Sequence, residues 1–154
     1  MKALTLWEPY ATLIAAGFKE VETRGWYTSY RGELAIHAGK SKAVGEDMSR
    51  ITFALAHHGF ELPELVYGAV LCVVRLVACV PTALVEVSAP KLRPAFAPKR
   101  GWEFERQFGN YDAGRWAWIL TGLRCYHPPV PANGSRKLWD FTPPPSREQP
   151  VQSE

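Results

Sequence analysis

Charged side chains of both signs are concentrated in the segment GFKEVETRGW, which spans residues 17–26. Side chains alternate along a strand, so Glu22 and Arg24 would share one face, with Lys19 within reach at the strand entry. Such a group could bind an anion through Lys19 and Arg24 while Glu22 positions a base edge or a proton. The same residues could equally form a solvated strand face with a weak ion pair. The spacing alone leaves both interpretations open.

The turn HAGK, residues 37–40, is a second candidate site. Gly39 would let the backbone approach a ligand, and Lys40 could contact a phosphate. The alternative is a plain turn between a strand and a helix, in which His37 is a hydrogen-bonded core residue and not a catalyst.

Aromatic residues near these segments could stack on bases. Trp7 lies at a predicted strand-to-helix corner, and Trp26 and Tyr27 close the charged segment. Residues 91–115 add six basic side chains interleaved with aromatic ones, a mixture that can follow a nucleic-acid backbone. The alternative in each case is packing, in which the rings fill the core or cover the sheet.

Hydrophobic periodicity places these residues on short strands and a few helices. A short helix of two or three turns is predicted from Pro9 to a stop at Gly17, a longer one over residues 46–58 and a single turn over 82–86. Residues 89–111 are poor in periodicity and carry three prolines, so they are predicted to form a long, partly irregular, basic loop. Strands are predicted over residues 3–6, 19–26, 33–38, 68–80 (with a bend near Arg75), 116–126 and 137–141. This order predicts an α+β chain built as a small β-barrel with flanking helices.

The 154 residues suggest one domain, residues 1–141, and a disordered tail, residues 142–154, in which Val151 is the one apolar residue. The formal net charge of +3 permits binding to phosphates without requiring it. Cys72, Cys79 and Cys125 lie in apolar runs without the spacing of metal ligands. They are interpreted as core residues of a protein in a reducing compartment. Neither a metal nor another cofactor is predicted.

The first residues, MKALTLWEPY, have neither the signature of a signal peptide nor the apolar length of a membrane anchor. The protein is therefore predicted to be cytoplasmic, or nuclear in a eukaryote, with no membrane partner. The sequence has no Walker loop, GxGxxG, GxSxG or HExxH motif, which argues against a nucleotide kinase, a dehydrogenase or a zinc hydrolase.

A resemblance to the ASCH domain (activating signal cointegrator homology domain) is carried by residues 4–40, LTLWEPYATLIAAGFKEVETRGWYTSYRGELAIHAGK. The matching positions there are Trp7, Pro9, Gly17, Lys19, Glu22, Arg24, Trp26, Arg31, Gly32, His37 and Ala38. The resemblance continues more loosely through Gly68 and the apolar strand after it to Trp118, Gly134, Leu138 and Trp139. It covers nearly the whole chain except the tail.

This resemblance implies a PUA-like β-barrel with a ligand cleft beside the first helix, lined by the segment from Lys19 to Arg24. Relatives of that barrel bind RNA, often around a modified base. Some small ASCH proteins are amidohydrolases that deacetylate N4-acetylcytidine, and others are ribonucleases, with a lysine at the position of Lys19. In the amidohydrolase a threonine follows three residues after that lysine, where this chain has Glu22. That enzyme also uses a glutamate from later in its chain.

These observations lead to one favoured function and two alternatives. The favoured one is a nucleic-acid-binding ASCH module that recognises RNA, another single-stranded nucleic acid or a modified nucleoside. The first alternative is a small metal-free hydrolase of acylated nucleosides or RNA with Lys19 and Glu22 as catalytic residues. The second is a protein-interaction domain with a vestigial cleft. The oligomeric state is not predicted. The predicted binding residues are Trp7, Lys19, Glu22, Arg24, Trp26, His37 and Lys40.

Overall fold

The longest apolar runs of the sequence form the centre of a curled sheet. The structure, a computed structural model, describes residues 1–145 and 150–152. The two long strands β4 (Ala69–Pro81) and β5 (Trp116–Pro131) pair with each other over most of their length. The other strands are β1 (Lys2–Leu6), β2 (Val21–Arg24), β3 (Gly32–Ala38), β6 (Leu138–Asp140) and β7 (Val151–Gln152).

The strands are ordered β2-β5-β4-β3-β1-β6 in the sheet, and β7 pairs with β5 outside this path. Strands β1 and β3 are parallel with Leu6 opposite Ala38, so the residues that follow both strands meet at one edge. The other strand pairs are antiparallel. Among the described residues the outer strands β2 and β6 do not pair with each other, so the sheet is a curled half-barrel. With its flanking helices, it confirms the predicted α+β class and PUA-like fold.

Helices pack outside this sheet. The longest, α2 (Gly45–His57), is amphipathic: Ile51, Ala54 and Leu55 are buried, whereas Phe53 is 77% exposed. The first helix, α1 (Tyr10–Ala15), has six residues and is shorter than the two or three turns predicted. The chain leaves it through Gly17 at a φ of 81°, a left-handed conformation that stops the helix. A short helix, α3 (Val85–Ser88), occupies the end of the predicted turn after β4.

The prediction of an irregular loop over residues 89–111 is wrong in part, because Trp102–Arg106 form a helix, α4. Phe104 and Phe108 are four positions apart, so one helical turn directs both rings to the same side. Both are buried in a cluster with Leu13 of α1 and with Ile51 and Leu55 of α2. These rings therefore stabilise the helical layer and are not available to stack on bases.

Strands β4 and β5 lose register close to Arg75, where the sequence predicted a bend. Val73 pairs with Arg124 and Arg75 with Thr121, so β5 carries one more residue than β4 over this interval. Gly122 lies in that interval with a φ of 65°, the left-handed conformation that absorbs an extra residue in a bulge. The irregularity leaves the side chain of Arg75 exposed beside Gly122.

The tail prediction falls partly on residues 146–149 and 153–154, which lie outside the described residues. Within the described part, β7 pairs with β5 in the register Arg124 with Gln152 and Cys125 with Val151. Strand β2 pairs with β5 only through residues 116–119, which leaves that edge of β5 open further along. Residues 151–152 therefore form a strand, although the composition predicted disorder there. The open edge of β5 offers the unpaired backbone groups with which they pair.

Candidate nucleic-acid interface

A cleft of about 400 Å³ opens beside α1, the end of β1 and strand β2. Its charged wall is formed by Glu22, Arg24 and Arg115, and its aromatic side by Trp7 and Tyr10. The volume lies in the range of small-molecule sites in proteins. A few charged groups among aromatic rings suit a flat, polar-edged ligand better than a purely apolar one.

Lys19 lies behind this wall and does not line the cleft. Its side chain is 0% exposed, and its Nζ donates hydrogen bonds of 2.7 Å to the carbonyl oxygens of Val21 and Phe108. The same Nζ lies 3.6 Å from Oε1 of Glu22. Lys19 therefore joins the start of β2 to the turn after α4, and places a positive charge next to the Glu22 carboxylate.

Glu22 presents its carboxylate to the cleft. Its side chain is 8% exposed, and Oε1 accepts a hydrogen bond of 2.7 Å from the backbone N–H of Thr23. Oε2 receives no hydrogen bond from the described residues, and it is not fully enclosed. Lys19 places a positive charge behind this carboxylate, and Oε2 is left to accept a hydrogen bond from a ligand.

Arg24 lies on the same wall, and Trp26 supports it. The Arg24 guanidinium lies 5.9 Å from the centre of the Trp26 ring, and the Lys137 ammonium lies 5.8 Å from it. Trp26 itself packs edge-on against the buried Trp118, with ring centres 4.8 Å apart. Trp26 therefore holds cations at the rim and does not line the cleft.

Arg115 was not among the predicted site residues. Its Nε donates to the carbonyl oxygen of Asn110 at 3.1 Å, and its Nη2 to that of Thr23 at 3.3 Å. The pairing of Arg24 with Trp116 across β2 and β5 brings Arg115 to the cleft. That contact spans about ninety residues of chain, so local spacing carried no signal for it.

Trp7 is the most accessible ring of the cleft, with 66% of its surface exposed. Glu8, the next residue, is buried and binds the start of α1: its Oε1 accepts from the backbone N–H of Thr12 at 2.8 Å, and its Oε2 accepts from the Thr12 hydroxyl. This contact fixes the corner from which Trp7 projects. An exposed ring on a fixed corner could stack on a base with little loss of entropy.

A buried carboxylate, Glu105 on α4, anchors the backbone before Glu22. Its Oε1 accepts from the N–H groups of Glu20 at 2.9 Å and Val21 at 2.7 Å. Burial raises the pKa of the Glu105 carboxyl to about 7, although the Lys19 ammonium and these N–H donors act in the opposite direction. Glu105 was not among the predicted site residues, because only the packing of α4 brings it to β2.

His37 lies outside the cleft, in a chain of hydrogen bonds that runs from Trp139 to Ala132. Trp139 Nε1 donates to Thr5 Oγ1 at 3.0 Å, Thr5 Oγ1 is 3.1 Å from His37 Nδ1, and His37 Nε2 is 2.7 Å from the carbonyl oxygen of Ala132. Burial lowers the pKa of His37, so the neutral ring fits this chain by donating from Nε2 and accepting at Nδ1. Both ring nitrogens are therefore used within the protein.

Lys40 also lies outside the cleft. Its Nζ donates to Oδ1 of Asn133 at 3.0 Å in an exposed contact. Because β1 and β3 are parallel, Lys40 follows β3 at the same sheet edge where Trp7 follows β1. The structure thus brings Trp7, Glu22 and Arg24 to one cleft, places Lys19 and Trp26 behind it, and leaves His37 and Lys40 apart.

Two further features of the described chain bear on ligands and location. Cys72 and Cys79 are buried and Cys125 is partly buried, all with free thiols. Over residues 1–145 and 150–152, no group of three or more His, Cys, Asp or Glu side chains could hold a metal ion. None of the helices in this described part has the length and apolar character needed to cross a membrane.

Comparison with known proteins identifies the class of domain that has this fold and cleft. The family model of the ASCH domain matches residues 4–119. This match covers well over half of the chain, and the protein belongs to the ASCH domain family. ASCH domains are nucleic-acid-associated and are in general RNA-binding modules.

Matches to individual curated proteins cover a smaller part of this chain than the family model does. Human activating signal cointegrator 1 is 40% identical over 48 residues, which are 31% of this chain and 8% of the human protein. The mouse protein of the same name is 38% identical over 48 residues, again 8% of its length. The chain thus spans less than a tenth of these relatives.

Solved structures of ASCH from Zymomonas mobilis are also similar. The crystal structure of that protein is 18% identical, with a TM-score of 0.45, over 84% of this chain and 72% of the other. A single-substitution variant of it gives 16% identity and the same TM-score over 74% of that chain.

Proposed function

We propose that this ASCH domain binds RNA by taking one base, or a modified nucleoside, into the cleft between Trp7 and Glu22. The observation that carries the proposal is the free acceptor Oε2 of Glu22 in a cleft that also contains Arg24 and Arg115. A nucleobase is a flat ring with donors and acceptors on its edge, so it matches an aromatic face beside groups of both signs.

Each side chain has a distinct role in this proposal. Glu22 Oε2 accepts from an exocyclic amino or amide N–H of the base. Arg24 and Arg115 donate to base carbonyl oxygens or to the adjoining phosphate, for which guanidinium geometry is suited. Trp7 stacks on the exposed face of the base. Lys19 holds the Glu22 carboxylate in place from behind, and so acts as a positioning residue.

Catalysis by Lys19 and Glu22 is the second candidate, and it is favoured by the 3.6 Å separation of their charged groups. The position of Lys19 weighs against it. Its side chain is 0% exposed, and its Nζ already donates to two carbonyl oxygens. A substrate would have to displace these contacts before it could exchange a proton with Lys19. Binding needs no such rearrangement.

The proposal is tested by titrating the native protein with a short single-stranded RNA of mixed sequence and, separately, with N4-acetylcytidine. Trp7→Ala should weaken RNA binding roughly 5- to 150-fold, because stacking of a base on an aromatic ring contributes about 1–3 kcal/mol. Glu22→Gln should change which nucleoside binds best. Phe53→Ala is the matched control, since Phe53 is an equally exposed ring on α2 outside the cleft.

Mass spectrometry of the same mixtures tests the hydrolase. Intact nucleoside and RNA with cleft-dependent binding would support the binding module. Deacetylation or cleavage that disappears in Glu22→Gln, with folding unchanged, would support the hydrolase in place of the binding module. Equal binding by Trp7→Ala, Phe53→Ala and the native protein would refute the proposed cleft.

A further inference from the structure

A basic groove runs along the bulged part of β4 and β5. It consists of cavities of about 530, 250 and 560 Å³ that share lining residues. Val74, Gly122 and Leu123 border both the first and the second, and Phe96 borders both the second and the third. None of the residues that line these cavities lines the cleft of Glu22. The groove is therefore a separate surface.

The charged lining of the groove is predominantly positive. Its two acidic residues are already engaged: Glu33 forms an ion pair with Arg124, and Glu20 Oε2 accepts from the backbone N–H of Lys99 at 2.7 Å. The excess of cations remains after these pairings. The basic side chains are Arg31, Arg75, Arg93, Lys99, Arg100 and Arg124, together with Lys19, whose side chain is buried.

Two of these cations have no partner within the protein. Among the described residues, neither the Arg75 guanidinium nor the Lys99 ammonium makes a hydrogen bond or an ion pair, and both residues are exposed. Like charges held along one groove repel each other, and an anion in the groove relieves that repulsion. Arg75 and Lys99 are thus available to bind negative groups.

Arg100, by contrast, is held rigidly. Its guanidinium lies 5.3, 4.8 and 5.7 Å from the ring centres of Phe18, Phe60 and Phe104, and its Nη1 donates to the carbonyl oxygen of Gly17 at 3.0 Å. A guanidinium fixed in this way can present its remaining N–H groups with little loss of side-chain entropy. It provides a fixed charge in the same cavity as the free cations Arg75 and Lys99.

We propose that this groove binds the sugar-phosphate backbone of single-stranded RNA, as a second site independent of the base-binding cleft. The proposal rests on the nucleic-acid-binding function proposed above. Several cations along a groove match the regular phosphates of a strand, and the apolar floor formed by Val74, Phe96 and Leu123 suits ribose. A flexible single strand can follow the floor, whereas a stiff duplex would contact only the rim.

The test measures the affinity of oligouridylate as a function of salt for the native protein and for the double variant Arg75→Gln, Lys99→Gln. Loss of two phosphate contacts should reduce the slope of log K against log salt by about 1.4, since each contact contributes about 0.7 for a single strand. The matched control is Lys2→Gln, Lys42→Gln, which removes the same charge from residues outside the groove. Its slope should remain within about half a unit of the native value.

Each outcome separates the two proposals. An unchanged slope in the groove variant, or equal slopes in both double variants, would overturn the groove site. Equal competition by an acidic peptide of the same charge would also overturn it, in favour of a protein partner. N4-acetylcytidine has no phosphate, so its binding depends on the cleft alone. If N4-acetylcytidine binds but the slope of the groove variant is unchanged, the proposed function stands and the groove site is refuted. If the slope falls but N4-acetylcytidine does not bind, the groove site stands and the cleft is refuted.

Discussion

The buried carboxyl of Glu105 gives the protein a pH-dependent stability that can be measured directly. Burial raises the pKa of this carboxyl from the ordinary 4.5 to about 7 in the folded protein. In the unfolded chain the carboxyl is hydrated and returns to its ordinary pKa. Between these two values the folded state binds a proton that the unfolded state has released. The free energy of unfolding must therefore fall as pH rises through this window.

The size of the effect follows from the shift. A difference from 4.5 to about 7, at about 1.4 kcal/mol per unit, corresponds to a loss of about 3 kcal/mol. The contribution is fully present below pH 4.5 and is lost once the pH exceeds about 7. Burial also raises the pKa of Glu8, which acts in the same direction, and lowers that of His37, which acts in the opposite one.

Glu105→Gln isolates the contribution of this carboxyl. The amide oxygen can accept from Glu20 and Val21 as the protonated acid does, but it does not titrate. Urea unfolding, followed by tryptophan fluorescence at pH 5 and pH 8, should show that the native protein loses about 2–3 kcal/mol more than the variant, because part of the contribution is already lost at pH 5. Glu8 and His37 are present in both proteins and cancel in the difference. Equal losses in both proteins would show that Glu105 does not titrate in this range. Glu64→Gln, at an exposed glutamate, is the control that should match the native protein.

Two substitutions test packing contacts, one behind the cleft and one at the His37 hydrogen-bond chain outside it. Lys19→Met should lower the free energy of unfolding by about 3 kcal/mol, because Val21 and Phe108 lose their donor and Glu22 loses its counter-charge. A loss under about 1 kcal/mol in urea unfolding would contradict this role. Gly134→Ala should cost about 1–3 kcal/mol, because a Cβ would lie 2.5 Å from Thr5 Oγ1 and 2.7 Å from the His37 ring. Gly45→Ala, where a Cβ meets nothing within 4 Å, should leave the melting temperature unchanged or slightly higher.

Most of the sheet could be predicted from local pattern. The strands over residues 2–6, 32–38 and 69–81 follow their apolar runs closely, and Gly17 ends α1 as expected. Helix α4 could not be predicted, because a five-residue helix is too short to show periodicity. It forms through the burial of Phe104 and Phe108, which depends on α1 and α2.

The candidate site was harder to predict, because it too depends on contacts between segments that are distant in the sequence. Alternation along β2 placed Glu22 and Arg24 on a common wall, as found. Spacing could not show that Lys19 turns inward, since its acceptors include the carbonyl of Phe108, far away in the chain. Arg115 and Glu105 reach β2 only through strand pairing and the packing of α4. Contacts between distant segments decide which charges meet a ligand and which support the fold.

The most direct test of base recognition in the cleft is the amide and indole NMR spectrum during titration with N4-acetylcytidine, a ligand without phosphate. Base recognition in the cleft predicts shifts of the Trp7 indole and of the backbone signals of Glu22, Thr23 and Arg24. The signals of Arg75 and Gly122 in the basic groove should stay in place. Saturating nucleoside that leaves Trp7 and Glu22 unchanged, or shifts confined to the groove, would contradict base recognition in the cleft.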